Sequence, residues 1–456
     1  MSVAVKSKRE MDLTQGSILK KLTLYSIPFI FANILQILFN TADIAILGIF
    51  VGDKAVAAVG ANSALSGLLV NLFVAFSIGS NIVLARYVGA RDIVGARKTV
   101  GTSIIIALIA GFFLLAVGVP MSELFLIWMG CDPEILSMAT TYLRIYFLGM
   151  PIMMLYNFSA SILRAVGDTR RPLIFLAIGG GINVALNIFF VTVLKMTVEG
   201  VAIATIVSQL VSATLSLIVL LKSDGYGSLK KEYFKISKEQ LKEILAIGVP
   251  SALQSLAFNV SNVLIQSKVN SFGATGTAGS TAATQFDAVI YNIGFAISSS
   301  CMAFVGQNVG AKNMQRVKKT IWCSILLIMI FQFGVGVIFA LLAPWLVSFI
   351  VSGEAEINYA TTRLVIMSIT YFMCGIMEVL GNGGVRTMGK PVISMVVSIC
   401  GAAIFRSIFL EVTFYFIPEF STIFLSYLAS WTLTALIYVF IVPKVYKGLK
   451  KELSSN

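Results

Sequence analysis

Long apolar runs separated by short polar connections dominate the pattern of hydrophobic and polar positions along the chain. A helix needs roughly 20 apolar residues to cross a hydrocarbon core of about 30 Å. The pattern therefore predicts an all-α integral membrane protein in which every run is one transmembrane helix. The twelve runs cover residues 18–49, 54–82, 98–119, 134–158, 172–194, 198–221, 241–270, 278–306, 320–350, 358–380, 391–412 and 420–442.

The basic residues fall almost entirely in alternate connections. The chain has 34 Lys and Arg against 21 Asp and Glu, and most of the basic residues lie before the first run or after even-numbered runs. Because basic residues are retained on the cytoplasmic side, we expect a multi-pass protein of the cell membrane with both termini in the cytoplasm. The positive charge then reports topology and contact with membrane lipid, and no nucleic-acid partner is expected.

Composition restricts the chemistry further. Hydrophobic residues make up 57% of the chain, charged residues only 12%, and histidine is absent. A soluble domain carries about 25% charged residues, and without histidine there is no imidazole base or imidazole metal ligand. The five cysteines show no CxxC spacing and so indicate no zinc site. These features argue against an enzyme, and no cofactor is expected.

The two halves of the chain share short motifs in the same order. Residues 87–99 read YVGARDIVGARKT and residues 308–320 read NVGAKNMQRVKKT, while Pro28 has its counterpart in Pro250. Six runs in each half place both halves in the same orientation, as in parallel-repeat transporters that alternate access to a central cavity. We predict an N-terminal lobe (residues 1–221), a cytoplasmic inter-lobe linker (residues 222–240) and a C-terminal lobe (residues 241–456).

A stripe of polar residues runs along one face of the first predicted helix. Asn33, Gln36, Asn40 and Asp43 follow one another at intervals of three or four residues, so they share a face. Polar groups facing lipid would be left unsatisfied, so the amides either bond neighbouring helices or line a cavity. A carboxyl within a span typically marks an ion or proton pathway. We therefore predict that Asp43 binds the coupling ion or proton.

Polar residues in other runs complete the set of candidates. Asn183 with Asn187, and Thr205 with Gln209, lie one turn apart and can supply neutral oxygens to a cation held by Asp43. The seventh run repeats the polar stripe without an acid. The candidates for a substrate cavity are Gln36, Asn40, Asn259, Asn262, Gln266, Asp287 and Glu378.

Two of these candidates are acids, and each has two interpretations. Asp287 and Glu378 either face a substrate or pair with a nearby basic residue such as Lys268, Arg386 or Arg406.

Together these motifs resemble those of the multidrug and toxic compound extrusion (MATE) family. The resemblance rests on Pro28 and Asp43 in the long first helix, on RAVGDTRRP at 164–172, on GQNVGAK at 306–312, and on MEVL at 377–380. It implies the MATE, or MOP-flippase, fold of twelve helices in two pseudo-symmetric six-helix lobes. It also implies a secondary antiporter, expected to be monomeric, that exports small organic cations, drugs or other amphipathic compounds in exchange for H⁺ or Na⁺.

Carried over residue by residue, the resemblance places the N-lobe cation site of the DinF-like branch at Asp43, Asn183 and Thr205. It places the bend of the first helix at Pro28. The chain departs from that pattern at Asn187, where the branch has a second aspartate. A single carboxylate weakens a Na⁺ site but still serves a proton, so H⁺ is the favoured ion and no metal other than Na⁺ at Asp43 is expected. The NorM-like branch has an acid in the seventh span that is absent here, and Glu378 lies about one turn from its tenth-span acid.

Three other functions are open alternatives. A lipid-linked saccharide flippase of the same superfamily would need a strongly basic cavity, and few basic residues lie outside the cytoplasmic clusters. A major-facilitator carrier fits the segment from Gly89 to Lys98, but not the paired loops after the fourth and tenth runs. A membrane enzyme would need a metal cluster or a nucleophile with its base, and no such spacing is present.

Overall fold

A computed structural model describes residues 10–455, apart from the side chains of residues 63–66, 68 and 71. Within this part of the chain, eleven helical segments are long and apolar enough to cross a membrane, and a pair of helices bent by 50° forms a twelfth candidate. The predicted all-α membrane fold is therefore confirmed. The outer limits of the predicted lobes, residues 1 and 456, lie outside the described residues.

The helices follow one another with short connections. The first half contains α1 (Ile18–Phe50), α2 (Asp53–Gly89), α3 (Ile93–Trp128), α4 (Pro133–Leu148), α5 (Met150–Ala165), α6 (Arg170–Ile188) and α7 (Val198–Lys222). The second half contains α8 (Lys238–Asn270), α9 (Gly273–Gly310), α10 (Met314–Leu327), α11 (Gly334–Leu341), α12 (Ala343–Val347), α13 (Glu354–Glu378), α14 (Pro391–Ser398), α15 (Arg406–Phe416) and α16 (Phe420–Ser455). Short π-helical segments continue four of the helices at Phe189–Val193, Ile328–Phe333, Val379–Arg386 and Ile399–Phe405.

The motif repeated at residues 87–99 and 308–320 has the same local structure in both halves. Arg91 and Lys312, at corresponding positions, adopt left-handed backbone conformations with φ of 58° and 56°. The next residues cap the following helices, since the side chain of Asp92 accepts from two backbone N–H groups of α3 and that of Asn313 accepts from one of α10. An Asp or Asn at this position satisfies N–H groups that have no partner within the helix. The repeat is thus a tight helix-turn-helix corner.

The chain forms two compact units, and it passes between them within α1 and within α8. The first unit consists mainly of Phe31–Ala252, and the second contains Leu13–Ile30 and Leu253–Asn456. Both changes of unit come shortly after a proline, Pro28 in α1 and Pro250 in α8. Proline removes one helical hydrogen bond and crowds the preceding turn. Nevertheless α1 remains one helix across Pro28, so the bend expected at Pro28 stays a prediction.

The start of α1 is held in the second unit by the end of α9. The Leu13 backbone N–H donates to Gln307 Oε1 at 3.3 Å, and Asn308 Nδ2 donates to the Leu13 carbonyl at 3.2 Å. One turn before Asn308 on α9, the ring of Phe304 meets the ring of Tyr25 on α1 edge to face, with the centroids 5.6 Å apart.

The start of α8 is held in the first unit by the end of α2 in a corresponding way. Gln240 Nε2 donates to the Tyr87 hydroxyl at 3.0 Å, and Tyr87 occupies the repeat position of Asn308. Gly79 of α2 lies so close to α8 that an added Cβ would be 2.5 Å from the Ile244 carbonyl oxygen. Each repeat corner therefore anchors the start of a proline-containing helix, α1 in the second unit and α8 in the first.

Close helix packing in the first unit depends on the glycines of α6. An added Cβ at Gly180 would overlap the ring of Phe39 on α1, and one at Gly179 would overlap Ser212 Oγ on α7, whereas Gly181 has open space around it. We expect Gly180→Ala to lower the free energy of unfolding by about 1–3 kcal/mol, because overpacking forces neighbouring groups apart. Gly181→Ala, in the same helix, is the matched control and should be at least as stable as the native protein. Thermal unfolding of the purified variants in detergent measures both, and equal stability of the two would contradict the packing argument.

Candidate functional site

The carboxyl group of Asp43 lies where α1, α6 and α7 meet in the first unit. Asn187 of α6 donates from Nδ2 to Asp43 Oδ1 at 2.5 Å, and Thr205 of α7 donates from Oγ1 to Oδ2 at 3.4 Å. Asp43 is half-buried, while Asn187 is fully buried. Both carboxyl oxygens therefore accept hydrogen bonds, and both bonds come from neutral side chains.

A second layer of hydrogen bonds positions these donors. Asn187 Nδ2 also donates to Asn183 Oδ1 at 3.2 Å, one turn earlier on α6. Asn183 Nδ2 in turn donates to Thr205 Oγ1 at 3.4 Å. The four side chains form a closed network, which we call the Asp43 cluster: Asp43, Asn183, Asn187 and Thr205. The structure brings together all four residues predicted for ion coupling, whereas Gln209 makes no hydrogen bond to Asp43 among the described residues.

The Asp43 cluster contains an unused polar atom. Among the described residues, Asn187 Oδ1 is buried and has no hydrogen-bond partner, and no ion pair involves Asp43. A buried acceptor without a partner is unfavourable unless a water or an ion satisfies it. Carboxylate and amide oxygens are suitable ligands for hard cations, and a carboxyl lacking a basic partner can bind a proton. The cluster can thus hold either a proton or a small cation.

An apolar cluster lies next to Asp43 along α1. Ile46 and Leu47, one turn beyond Asp43 on α1, are buried together with Val201 of α7. Tyr142 and Tyr146 of α4 pack against the same cluster, with ring centroids 6.1 Å apart. These two tyrosines were not among the predicted site residues, although their spacing of one helical turn within a span was a usable signal. This apolar environment makes an uncompensated charge at Asp43 costly.

The remaining candidates of the first unit lie on the same face of α1 but outside the Asp43 cluster. Gln36 and Asn40 are exposed. Their role in a substrate cavity stays a prediction.

One residue of the polar stripe of α8, Asn262, forms hydrogen bonds with other helices. Asn262 is exposed, yet its Oδ1 accepts from Arg406 Nη1 at 3.4 Å and from the Tyr427 hydroxyl at 3.3 Å. Asn259 donates to the carbonyl of Ser255 on its own helix at 2.9 Å, and Gln266 is exposed. Substrate contact by these three amides stays a prediction.

Asp287 of α9 is buried in the second unit and forms an ion pair. Arg363 Nε donates to Asp287 Oδ2 at 2.9 Å, and the same guanidinium lies over the ring of Phe424 with 5.2 Å to the centroid. The expected basic partners were other residues, so Arg363 is a finding of the structure. Lys268, one of those expected, pairs instead with Glu411 at 2.8 Å.

Glu378 is buried at the end of α13, where a π-helical segment begins. The Tyr291 hydroxyl donates to Glu378 Oε1 at 3.4 Å, while Oε2 has no hydrogen-bond partner among the described residues. Arg386, which was an expected partner, directs its Nη2 at Gln254 Oε1 instead. Like Asp43, Glu378 is therefore a carboxyl within a span that forms no ion pair in the described part of the chain. It also lies beside a π-helical segment, and such segments frequently mark functional positions.

Comparison with known proteins adds a family assignment to this geometry. The MatE family model matches residues 28–189 and residues 250–412. The chain is 28% identical over 403 residues to the probable multidrug resistance protein YpnP of Bacillus subtilis (strain 168), with 87% of this chain and 88% of the relative covered. It is also 28% identical over 385 residues to the probable multidrug resistance protein NorM of Thermotoga maritima, with 83% and 82% covered. Among solved structures, an outward-facing multidrug resistance MATE transporter of the MOP superfamily superposes with a TM-score of 0.91 at 22% identity, over 98% of this chain and 100% of the other.

Proposed function

The chain belongs to the MatE family, whose members are multi-pass multidrug efflux transporters and not enzymes, and on that premise we propose that it is a secondary antiporter driven by H⁺. It exports small organic cations or other amphipathic compounds from the cell, and the Asp43 cluster binds the proton that drives export. It works as a monomer in the cell membrane, with both termini in the cytoplasm, as the distribution of basic residues supports.

One observation carries this proposal: the Asp43 carboxyl lies in a span and, among the described residues, accepts hydrogen bonds only from neutral groups. The ionised Asp43 carboxylate has no positive charge within the cluster to compensate it. Uptake of a proton or cation neutralises the carboxylate and so lowers the cost of placing it in the membrane. The proton is then released to the opposite side of the membrane, and its movement down the gradient supplies free energy for a conformational change. A bound proton shifts the equilibrium between two conformations of the protein because it binds them with different affinities.

The geometry favours H⁺ over Na⁺. A Na⁺ ion needs several oxygen ligands, and Asn187 Oδ1 is the one oxygen of the cluster that has no hydrogen-bond partner among the described residues. A second carboxylate, which would strengthen attraction for a cation, is absent from the cluster. A single carboxyl is sufficient for one proton.

Transport into proteoliposomes tests the proposal. We expect a fluorescent organic cation to accumulate when a pH gradient is imposed, and not when a Na⁺ gradient is imposed alone. Accumulation driven by Na⁺ alone would contradict the assignment of H⁺. Absence of accumulation under either gradient would contradict antiport itself.

Asn187→Asp should give the transporter a dependence on Na⁺. The substitution places a second carboxylate against Asp43, and two adjacent like charges favour binding of a cation between them or protonation of one. We expect the rate of transport under a fixed pH gradient to rise with added Na⁺ in this variant and to be indifferent to Na⁺ in the native protein. Gln209→Glu is the matched control, because Gln209 lies one turn beyond Thr205 on α7 and outside the Asp43 cluster, and this variant should stay indifferent to Na⁺. Indifference of Asn187→Asp to Na⁺ would show that the cluster does not hold the coupling ion.

A further inference from the structure

The charged residues inside the spans of the second unit are not fully paired. Lys268 pairs with Glu411 at 2.8 Å and Arg363 pairs with Asp287 at 2.9 Å. Arg406 forms no ion pair among the described residues, although only 3% of its surface is exposed. An unpaired charge within a span is costly and typically has a functional role.

Neutral groups hold the guanidinium of Arg406. Its Nε donates to the Ala402 carbonyl at 2.7 Å, and Ala402 lies in the π-helical segment Ile399–Phe405, which ends where α15 begins. The guanidinium stacks over the ring of Tyr427 at 4.4 Å from the centroid. Its Nη1 reaches Asn262 Oδ1 only at 3.4 Å, a long hydrogen bond. The positive charge is thus oriented by its neighbours but not neutralised by them.

A polar path along α8 leads to this guanidinium. Asn262, Gln266 and Asn270 are exposed at intervals of one turn, and together they span about 12 Å by the helical rise. Asn270 lines a cavity of about 680 Å³ with Thr277, Thr281 and Gln285, a volume that accommodates a drug-sized molecule. The lining of this cavity contains no acid among the described residues, so nothing in it repels an anionic group.

Aromatic rings continue from the guanidinium into the second unit. Tyr427 lies 5.1 Å from Trp431 between ring centroids, and Trp431 lies 5.3 Å from Tyr371. A ring beside a cation suits a compound that combines an anionic group with an aromatic body.

We infer that Arg406, with Asn262 and Tyr427, recognises the carboxylate of an aromatic amphipathic compound. This inference rests on the proposed function and adds compounds that carry a carboxylate, zwitterions included, to the amphipathic compounds that the protein exports. A single guanidinium matches a single planar carboxylate in charge and in the geometry of two parallel hydrogen bonds. Arg406 exchanges its long bond to Asn262 for the stronger bond to the carboxylate, and Asn262 is left to donate its amide N–H to the same group.

Binding of a matched pair of dyes tests the inference. Rhodamine B carries a free carboxylate, and its ethyl ester has the same ring system without that charge. We expect the purified full-length protein to bind rhodamine B about tenfold more tightly than the ester, measured by fluorescence anisotropy without any ion gradient. Arg406→Gln should remove this preference by weakening only the binding of rhodamine B. Arg406→Lys keeps the charge but not the paired hydrogen bonds, and should retain part of the preference.

Lys268→Gln serves as the matched control, since Lys268 is already paired with Glu411, and should keep the full preference. Equal affinity of the native protein for both dyes would overturn the inference. The inference would also be overturned if Arg406→Gln and Arg406→Lys each weakened the binding of both dyes equally. The role of Arg406 would then be structural. The Asp43→Asn variant should retain the preference, so a failure of proton-driven transport and a failure of carboxylate recognition are separately visible.

Discussion

Asp43→Asn is expected to reduce gradient-driven export to the level of protein-free vesicles while the protein remains folded and inserted. Asparagine has nearly the same shape, and its Oδ1 can still accept a hydrogen bond from Asn187 or Thr205, so packing at the cluster is preserved. It cannot bind or release a proton, however, and no other acid of the first unit shares the cluster among the described residues. Uptake of a fluorescent cation in proteoliposomes under an imposed pH gradient measures the effect.

An exposed carboxyl provides the control for this substitution. Asp224 lies in the connection between α7 and α8, where Lys230 Nζ donates to its Oδ1 at 2.6 Å. This hydrogen bond and the lysine charge hold the pKa of Asp224 below its ordinary value, so the group remains ionised and has no proton to exchange near neutral pH. Asp224→Asn should therefore transport at the native rate. Native export by Asp43→Asn would show that coupling occurs elsewhere in the protein.

Breaking the buried ion pair of the second unit is expected to have the largest effect on stability. Arg363→Gln leaves the carboxylate of Asp287 without its partner in a site where both side chains are largely buried. An isolated buried charge costs about 3–5 kcal/mol. The double variant Arg363→Gln with Asp287→Asn removes both charges and should recover most of that loss. Unfolding in mixed micelles, compared across the two single variants and the double variant, gives the coupling free energy.

The exposed pair of the same unit is the control for this measurement. Lys268→Gln removes the partner of Glu411, whose side chain is 64% exposed, and should cost no more than about 1 kcal/mol. The comparison also decides between the two interpretations of Asp287. A structural partner of Arg363 makes stability depend on the pair, whereas a substrate-facing acid would leave Asp287→Asn as stable as the native protein but inactive.

The positions of the spans were predictable because the membrane imposes a length on each apolar run. The ends of the helices were less predictable, because helices continue into polar segments beyond the apolar core. The second run was predicted to end at residue 82, but α2 continues to Gly89 and stops at the corner formed by Arg91 and Asp92. The fourth run was predicted as one helix, yet it divides into α4 and α5 beside Pro151. Proline at the start of α5 lacks the N–H that would continue the preceding helix.

The Asp43 cluster was partly predictable. Spacing alone placed Asn183 and Asn187 on one face of α6 and marked Asp43 as an unusual acid in a span, because one-turn periodicity is a local property. Which of the two amides reaches the Asp43 carboxyl was not predictable from spacing, because it depends on how the helices pack against each other. The structure brings Asn187 to Asp43 directly and leaves Asn183 in the second layer.

The sequence by itself determined the membrane class, the alternation of basic connections, the repeated corner and the isolated carboxyl of Asp43. Each of these follows from interactions within one helix or from transfer of one segment into lipid, and both depend on residue type and spacing alone. The tertiary structure alone decided the partners: Arg363 for Asp287, neutral groups for Arg406, and the passage of α1 from one compact unit to the other after Pro28. Pairing between helices depends on their rotation and separation, which are set by packing of small residues such as Gly180 across many contacts at once.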